Sequence, residues 1–300
     1  MSSPTGPSSG LPVRMPRPRQ PGRHRRPEPV SAPEGAPALV LAVPGSPSVE
    51  SRGLAEEVVS IARSELPGLD ARVGFVESDG TDEEFPSLGQ VLASAEAQDG
   101  DSAPAEGGPA AVVVPLLASP DSTYLEVIRE AVGAGGATAR LTDVLGPHPL
   151  LAEAVHVRLS EAGLARADRA RLFTVATAAD GIVLATVGGA EAVQAAGITG
   201  MLLSARLAVP VLAAALDEED SIAETARRLT EAGSQQLALA PCLIGPELPE
   251  GLLVAGAEAA DCPAAEPLGA YPAVGRLVLS AYMAEVGITP PRSSQGTPVR

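Results

Sequence analysis

Three segments recur in the same order in the two halves of the chain, and this repeat limits the possible folds more than any single motif does. VLAVPGSPSVES at 40–51 returns as VLATVGGAEAVQ at 183–194. AVVVPLLAS at 111–119 returns as LALAPCLIG at 237–245, and LGPHPLLAEAV at 145–155 as LGAYPAVGRLV at 268–278. Self-similarity of this kind marks a duplicated structural unit. Within each half, apolar runs of strand length alternate with amphipathic stretches. Strands are expected at 38–43, 70–76, 110–117 and 138–142, then at 181–187, 209–213 and 236–241. Helices are expected at 49–65, 86–95, 121–134 and 148–163, then at 190–207, 218–232 and 271–286. Short, continuously apolar strands separated by helices belong to parallel sheets covered on both faces. The expected fold is therefore α/β, with two similar lobes, each a small parallel sheet flanked by helices, facing across a cleft where ligands bind.

Composition removes several function classes. The chain has 300 residues and a net charge of −16, and its 21 basic residues are all Arg. Residues 1–37 hold six Arg and two Glu, which leaves 15 Arg against 35 acids in the rest. A body near −20 repels phosphate backbones and anionic membranes, so neither nucleic acid nor a membrane is an expected partner. No apolar run reaches the ~20 residues of a membrane helix, and Arg25-Arg26 lacks the apolar stretch that an export signal needs. Cys242 and Cys262 are too few and too far apart for a disulfide framework or a CxxC site. They are read as small core residues in a cytoplasmic protein.

Residues 1–37, rich in Pro, Ser, Gly and Arg, are expected to be a disordered tail, and 290–300 a flexible one. The lobes are assigned to 38–165 and 166–289. The acidic stretch at 95–109 is expected to be a surface insertion.

The first strand ends in Pro44-Gly45-Ser46, and a helix follows. The carboxyl end of a strand is where an α/β protein places its chemistry. Together with VGFVES at 73–78, AVVVPLLASPDSTYL at 111–125, LGPHPLLAEAV and PLGAYPAVGRLVLSAY at 267–282, this segment resembles the sirohydrochlorin chelatases of the two-lobed actinobacterial type. These are class II tetrapyrrole chelatases, and the resemblance runs from about residue 38 to 287. It implies insertion of ferrous or cobaltous ion into sirohydrochlorin without ATP, on the way to sirohaem or cobalamin. The metal is then a substrate, and no resident cofactor is implied. Such chemistry needs a ligand that holds the ion with an open position and a base for the pyrrole protons. The family places a histidine after the first strand, a glutamate after the second and a histidine after the third.

Those positions here are Pro44, Glu77 and Leu125. Proline and leucine supply neither ligand nor base. Glu77 reads as a solvated or capping acid, or as a residual metal ligand. Leu125, Ile128 and Val132 share a helical face. Among the histidines, His24 lies in the tail, His156 inside a helix, and His148 precedes Pro149 where it shapes a helix entry or lines the substrate site. Gly45 and Ser46 read as a tight turn or as backbone donors to substrate, with neither a P-loop nor a dinucleotide fingerprint. Ser46 has no recognisable catalytic partners. Asp82-Glu83-Glu84 and Asp217-Glu218-Glu219-Asp220 suit helix starts. Arg129 and Arg276 are the cations to look for in the cleft, because the substrate is a polycarboxylate. Three functions stay open: a chelatase-like protein that no longer inserts metal but binds a tetrapyrrole or a partner, a chelatase working with other residues, and a scaffold.

Overall fold

In a computed structural model, residues 31–99, 108–134, 139–165 and 179–288 are described. Most of the Arg-rich tail including His24, the middle of the 95–109 insertion, the junction between the lobes and the segment 290–300 lie outside the described residues.

Two parallel sheets form the core. The first has the order β2-β1-β3-β4, built from β1 (Ala38–Val43), β2 (Ala71–Phe75), β3 (Ala111–Pro115) and β4 (Ala139–Leu141). The second has the order β6-β5-β7, built from β5 (Gly181–Thr186), β6 (Val211–Ala215) and β7 (Leu237–Pro241). β1 and β5 are central and buried at every residue. That explains their apolar sequence, broken only by Thr186 at the end of β5. β6 starts two residues later than expected because Pro210 has no N–H to give the ladder; its carbonyl accepts from Ile182 N instead, at 3.0 Å.

The helices are α1 (Val49–Glu65), α2 (Leu88–Asp99), α3 (Ser122–Ala134), α4 (Pro149–Glu161), α5 (Gly189–Leu207), α6 (Ser221–Glu231), α7 (Leu252–Ala259) and α8 (Pro272–Val286). The eight-residue α7 was not expected from the sequence. It is too short to show a helical period, and it follows a loop rich in Pro and Gly. α1 begins in a capping box, Ser48 bonding Ser51 N at 3.0 Å while Ser51 Oγ accepts from Ser48 N at 2.9 Å.

The repeat is visible bond for bond. Leu116 N donates to Ala42 O as Cys242 N does to Ala185 O, and Val76 N to Val43 O as Leu216 N does to Thr186 O. Leu145 N donates to Leu117 O at 2.9 Å, and Leu268 N to Leu243 O at 2.8 Å. Where β4 flanks β3, the second sheet has only a single bridge from Leu239 to Ala264.

The last helix of each half crosses over. α8 packs on α1 and β3, and α4 packs on α5 and β7. Tyr282, fully buried on α8, donates to Pro37 O at 2.7 Å just before β1. Arg158 of α4 donates to Leu268 O through Nε at 3.2 Å and Nη2 at 2.7 Å. Both crossing helices contribute to one apolar cluster that runs through the two sheets. That cluster holds the strand ends of both halves at a fixed separation.

Candidate functional site

The loops after the first strands are pressed against the other half. Gly45 has φ +77°, and a Cβ there would lie 1.9 Å from Pro246 O. Its repeat counterpart Gly188 has φ +105°, and a Cβ there would lie 2.7 Å from Pro120 O. Only glycine tolerates both the backbone conformation and the contact. Each first loop therefore abuts the proline that follows the third strand of the opposite half. The repeat makes these two contacts a pair.

Beside the Gly45 contact lies a cavity of about 1000 Å³. It opens among the start of α1, Glu77 after β2, Tyr124 on α3, the loop 244–250 after β7, and 266–269 before α8. Glu77 is held in place by the folded loop that follows it. Phe85 meets Phe75 edge-on at 5.4 Å, Arg52 lies 5.9 Å over the Phe85 ring, and Ser78 Oγ donates to Phe85 O. Ser46 Oγ donates to Glu77 Oε2 at 3.0 Å. Burial first, then the Glu77 charge, raise the pKa of Tyr124 to about 12. Glu77 thus joins the first and second loops of its own lobe.

Glu247 is the least exposed carboxylate of the cavity, at 3 %. Its two oxygens accept from Ile244 N at 2.6 Å and Gly245 N at 2.8 Å, so it folds back and fixes the loop that touches Gly45. Burial pushes its carboxyl up, and the Asp121 charge adds to this, while the backbone donors oppose it. Asp121 is its repeat counterpart and instead caps α3, accepting from Thr123 N at 2.9 Å and Tyr124 N at 3.3 Å.

The residues singled out from the sequence divide into two groups. Gly45, Ser46 and Glu77 line the cavity. Pro44 is buried, and Leu125 is half-buried on α3 beside the fully buried Ile128. His148 is the N-cap of α4, its Nδ1 accepting from Leu150 N at 3.1 Å, and burial lowers its pKa. His156 is buried and accepts from Arg206 Nε at 2.8 Å. Arg129 is exposed on α3, and Arg276 pairs with Glu65 at 2.8 Å. Neither lines the cavity.

Among the described residues five glutamates line it (Glu50, Glu77, Glu247, Glu250 and Glu266) together with a single arginine, Arg158. The Arg158 guanidinium is taken up by Leu268 O and by Glu161 at 2.9 Å. Among the described residues no group of three or more His, Cys, Asp or Glu is arranged to hold a metal ion. Tyr124 and Glu247 were missed from sequence. The available signal was the repeat, which sets Ser119-Pro120-Asp121 against Gly245-Pro246-Glu247.

Comparison of this architecture with solved structures finds the cobalt complex of the sirohydrochlorin chelatase SirB from Bacillus subtilis subspecies spizizenii. The match has a TM-score of 0.56 and 14% identity, and covers 84% of this chain and 96% of that one. The fold is chelatase-like. A periplasmic ribose ABC transporter from Conexibacter woesei matches at a TM-score of 0.30 and 12% identity over 68% of this chain and 64% of its own, too low to bear on the fold. No family model matches the sequence, and no curated protein matches it. No helix among the described residues is long and apolar enough to cross a membrane.

Proposed function

We propose that this is a chelatase-derived protein that has lost metal insertion and keeps the cleft between its lobes, 38–165 and 166–289, for binding. The observation that carries the reading is the state of the three family positions. Pro44 and Leu125 offer no ligand, and the Glu77 carboxylate is engaged by Ser46 at 3.0 Å and lies close enough to Tyr124 for its charge to act on the phenol. Insertion needs a base as well as a ligand, and a phenol whose pKa is near 12 is not one at neutral pH.

The charge of the cavity bears on what it binds. Five glutamates and one occupied arginine favour a cationic or neutral occupant over a polycarboxylate macrocycle such as sirohydrochlorin. Two free thiols, one buried and one half-buried, suit a reducing compartment, and we place the protein in the cytoplasm.

The test is an anaerobic absorbance titration of sirohydrochlorin with the protein, followed by cobaltous ion. The expected outcome is no acceleration over the metal-only rate. Conversion well above that rate would overturn the loss of insertion. A spectral shift without conversion would keep the loss but restore the tetrapyrrole as ligand. Pro44→His combined with Leu125→His is expected to create cobalt binding, visible as a ligand-field absorbance band.

A further inference from the structure

We infer that the acidic cavity is the docking site of this chain's own Arg-rich N-terminal segment, residues 14–23. The inference rests on the binding-cleft reading above and names the occupant. Residues 1–30 contain six arginines (Arg14, Arg17, Arg19, Arg23, Arg25 and Arg26) and one acid, Glu28. The cavity presents the opposite sign. Glu50, Glu250 and Glu266 stand exposed at its rim, Glu247 is buried in its wall, and its own arginine is bonded elsewhere. Guanidinium groups match carboxylates in bidentate geometry.

The point of attachment sets which arginines arrive. Ala32 N donates to Pro67 O at 2.9 Å, so the described chain begins beside the C-terminal end of α1. The cavity is at the other end of that helix, where Glu50 sits. Seventeen residues of helix span about 25 Å. An extended chain covers at most about 3.3 Å per residue, so the backbone at Arg26 and Arg25 stops short of that end, at Arg23 it just reaches, and at Arg19, Arg17 and Arg14 it reaches with slack. Glu57 and Glu50, seven residues apart on α1 and both exposed, mark an acidic path between the two ends. Tethering makes the encounter intramolecular, with an effective concentration in the millimolar range for a linker of matching length.

The absence of lysine from the sequence supplies a direct test. In the full chain, Arg19→Lys introduces the only side-chain amine. A zero-length carbodiimide then joins that amine to a carboxylate only where the two are in contact, and peptide mass mapping locates the link. The expected links run to Glu50, Glu250 or Glu266 at low salt. They should fall about tenfold at 0.5 M salt, where the Debye length shrinks to a few ångströms, and the links to the intact Glu266 should fall severalfold in the double variant Glu50→Gln, Glu250→Gln, where two of the attracting charges are gone. Val30→Lys serves as the distance control: two residues from Ala32, its backbone stays within about 7 Å of the anchor and its amine should not reach these three residues.

Links from position 19 scattered over remote acids such as Glu219, or no links at all, would overturn the docking. So would links that join an isotope-labelled chain to an unlabelled one, since the occupant would then be a second copy. The readout involves no tetrapyrrole. Failure of the cross-link leaves the loss of insertion standing, and cobalt insertion by the protein would overturn that loss without erasing the link.

Discussion

The two lobes share a framework and differ at their strand ends. The bonds from Leu116, Val76 and Leu145 recur at Cys242, Leu216 and Leu268, so the backbone has been kept through the duplication. The side chains above it have not. Glu77 and Asp217 occupy the same position after the second strand, and each ties down the first loop of its own lobe. Glu77 does so through Ser46 Oγ, and Asp217 by accepting from Gly188 N at 2.9 Å. A carboxylate that performs the same tie in both lobes is a structural clamp first. This pairing argues that Glu77 holds the loop.

The third loops differ by one methylene with a large consequence. Asp121 reaches forward to cap α3, whereas Glu247 reaches back to Ile244 and Gly245 and is buried. The forward cap leaves the loop after β3 tied to a helix. The backward one fixes the loop after β7 through its own carboxylate.

The comparison can be broken most forcefully at the two glycines. Gly45→Ala is expected to destabilise by about 4 kcal/mol in urea unfolding, since it adds left-handed strain to a backbone collision. Gly188→Ala, with its looser 2.7 Å approach, should cost about 2–3 kcal/mol. An equal or reversed order would mean that the Gly45–Pro246 contact yields more readily than its counterpart.

The acids after the third strands come next. Asp121→Ala should cost about 1 kcal/mol as the loss of a helix cap. Glu247→Gln leaves one backbone N–H poorly paired but removes a buried charge, so its effect is read best against pH. The unfolded chain releases the Glu247 proton at the ordinary carboxylate value of 4.5, while burial makes the folded chain keep it longer. The proton therefore stabilises the fold fully below that value, and the contribution is lost as pH rises through the folded pKa. Urea midpoints of the native protein should fall relative to Glu247→Gln as pH rises from about 4.5; parallel profiles would refute the assignment. The smallest effect belongs to Ser46→Gly, which gives the first lobe the residue that the second has at Gly189. Loss of the exposed bond to Glu77 should cost about 0.5 kcal/mol, and a larger loss would make Ser46 more than a tie.

The layered fold was legible because buried parallel strands spell themselves out: β1, β3 and β5 are apolar runs, and the repeat fixed which strands correspond. Pro44 and Leu125 could be placed by their distance from those strands, and His148, read as shaping a helix entry or lining the substrate site, is the N-cap of α4. Glu247 could not be read. An acid within Gly-Pro-Glu-Leu-Pro-Glu looks solvated, and only the packing of Pro246 against Gly45 and the turn at Gly245 bury it. The crossing of α4 and α8 was equally hidden, because an apolar helix face does not state which sheet it will cover. Arg129, after the third strand, and Arg276, in the last helix, were the cations to look for in the cleft, and both stand exposed outside the cavity, because periodicity does not resolve which way a side chain at a helix edge turns.

The exchange of the last helices makes the halves dependent on each other for solubility. Cut at the junction, each fragment would carry a helix without its sheet and a sheet missing one of its covering helices. Neither could bury Val274 or Leu151 alone. A lone half would have to borrow these helices from another copy of itself, trading them in a closed pair. Fusion turns that trade into a single-chain event, so assembly no longer depends on protein concentration, and two lobes free from identical sequence can diverge, one strand end at a time.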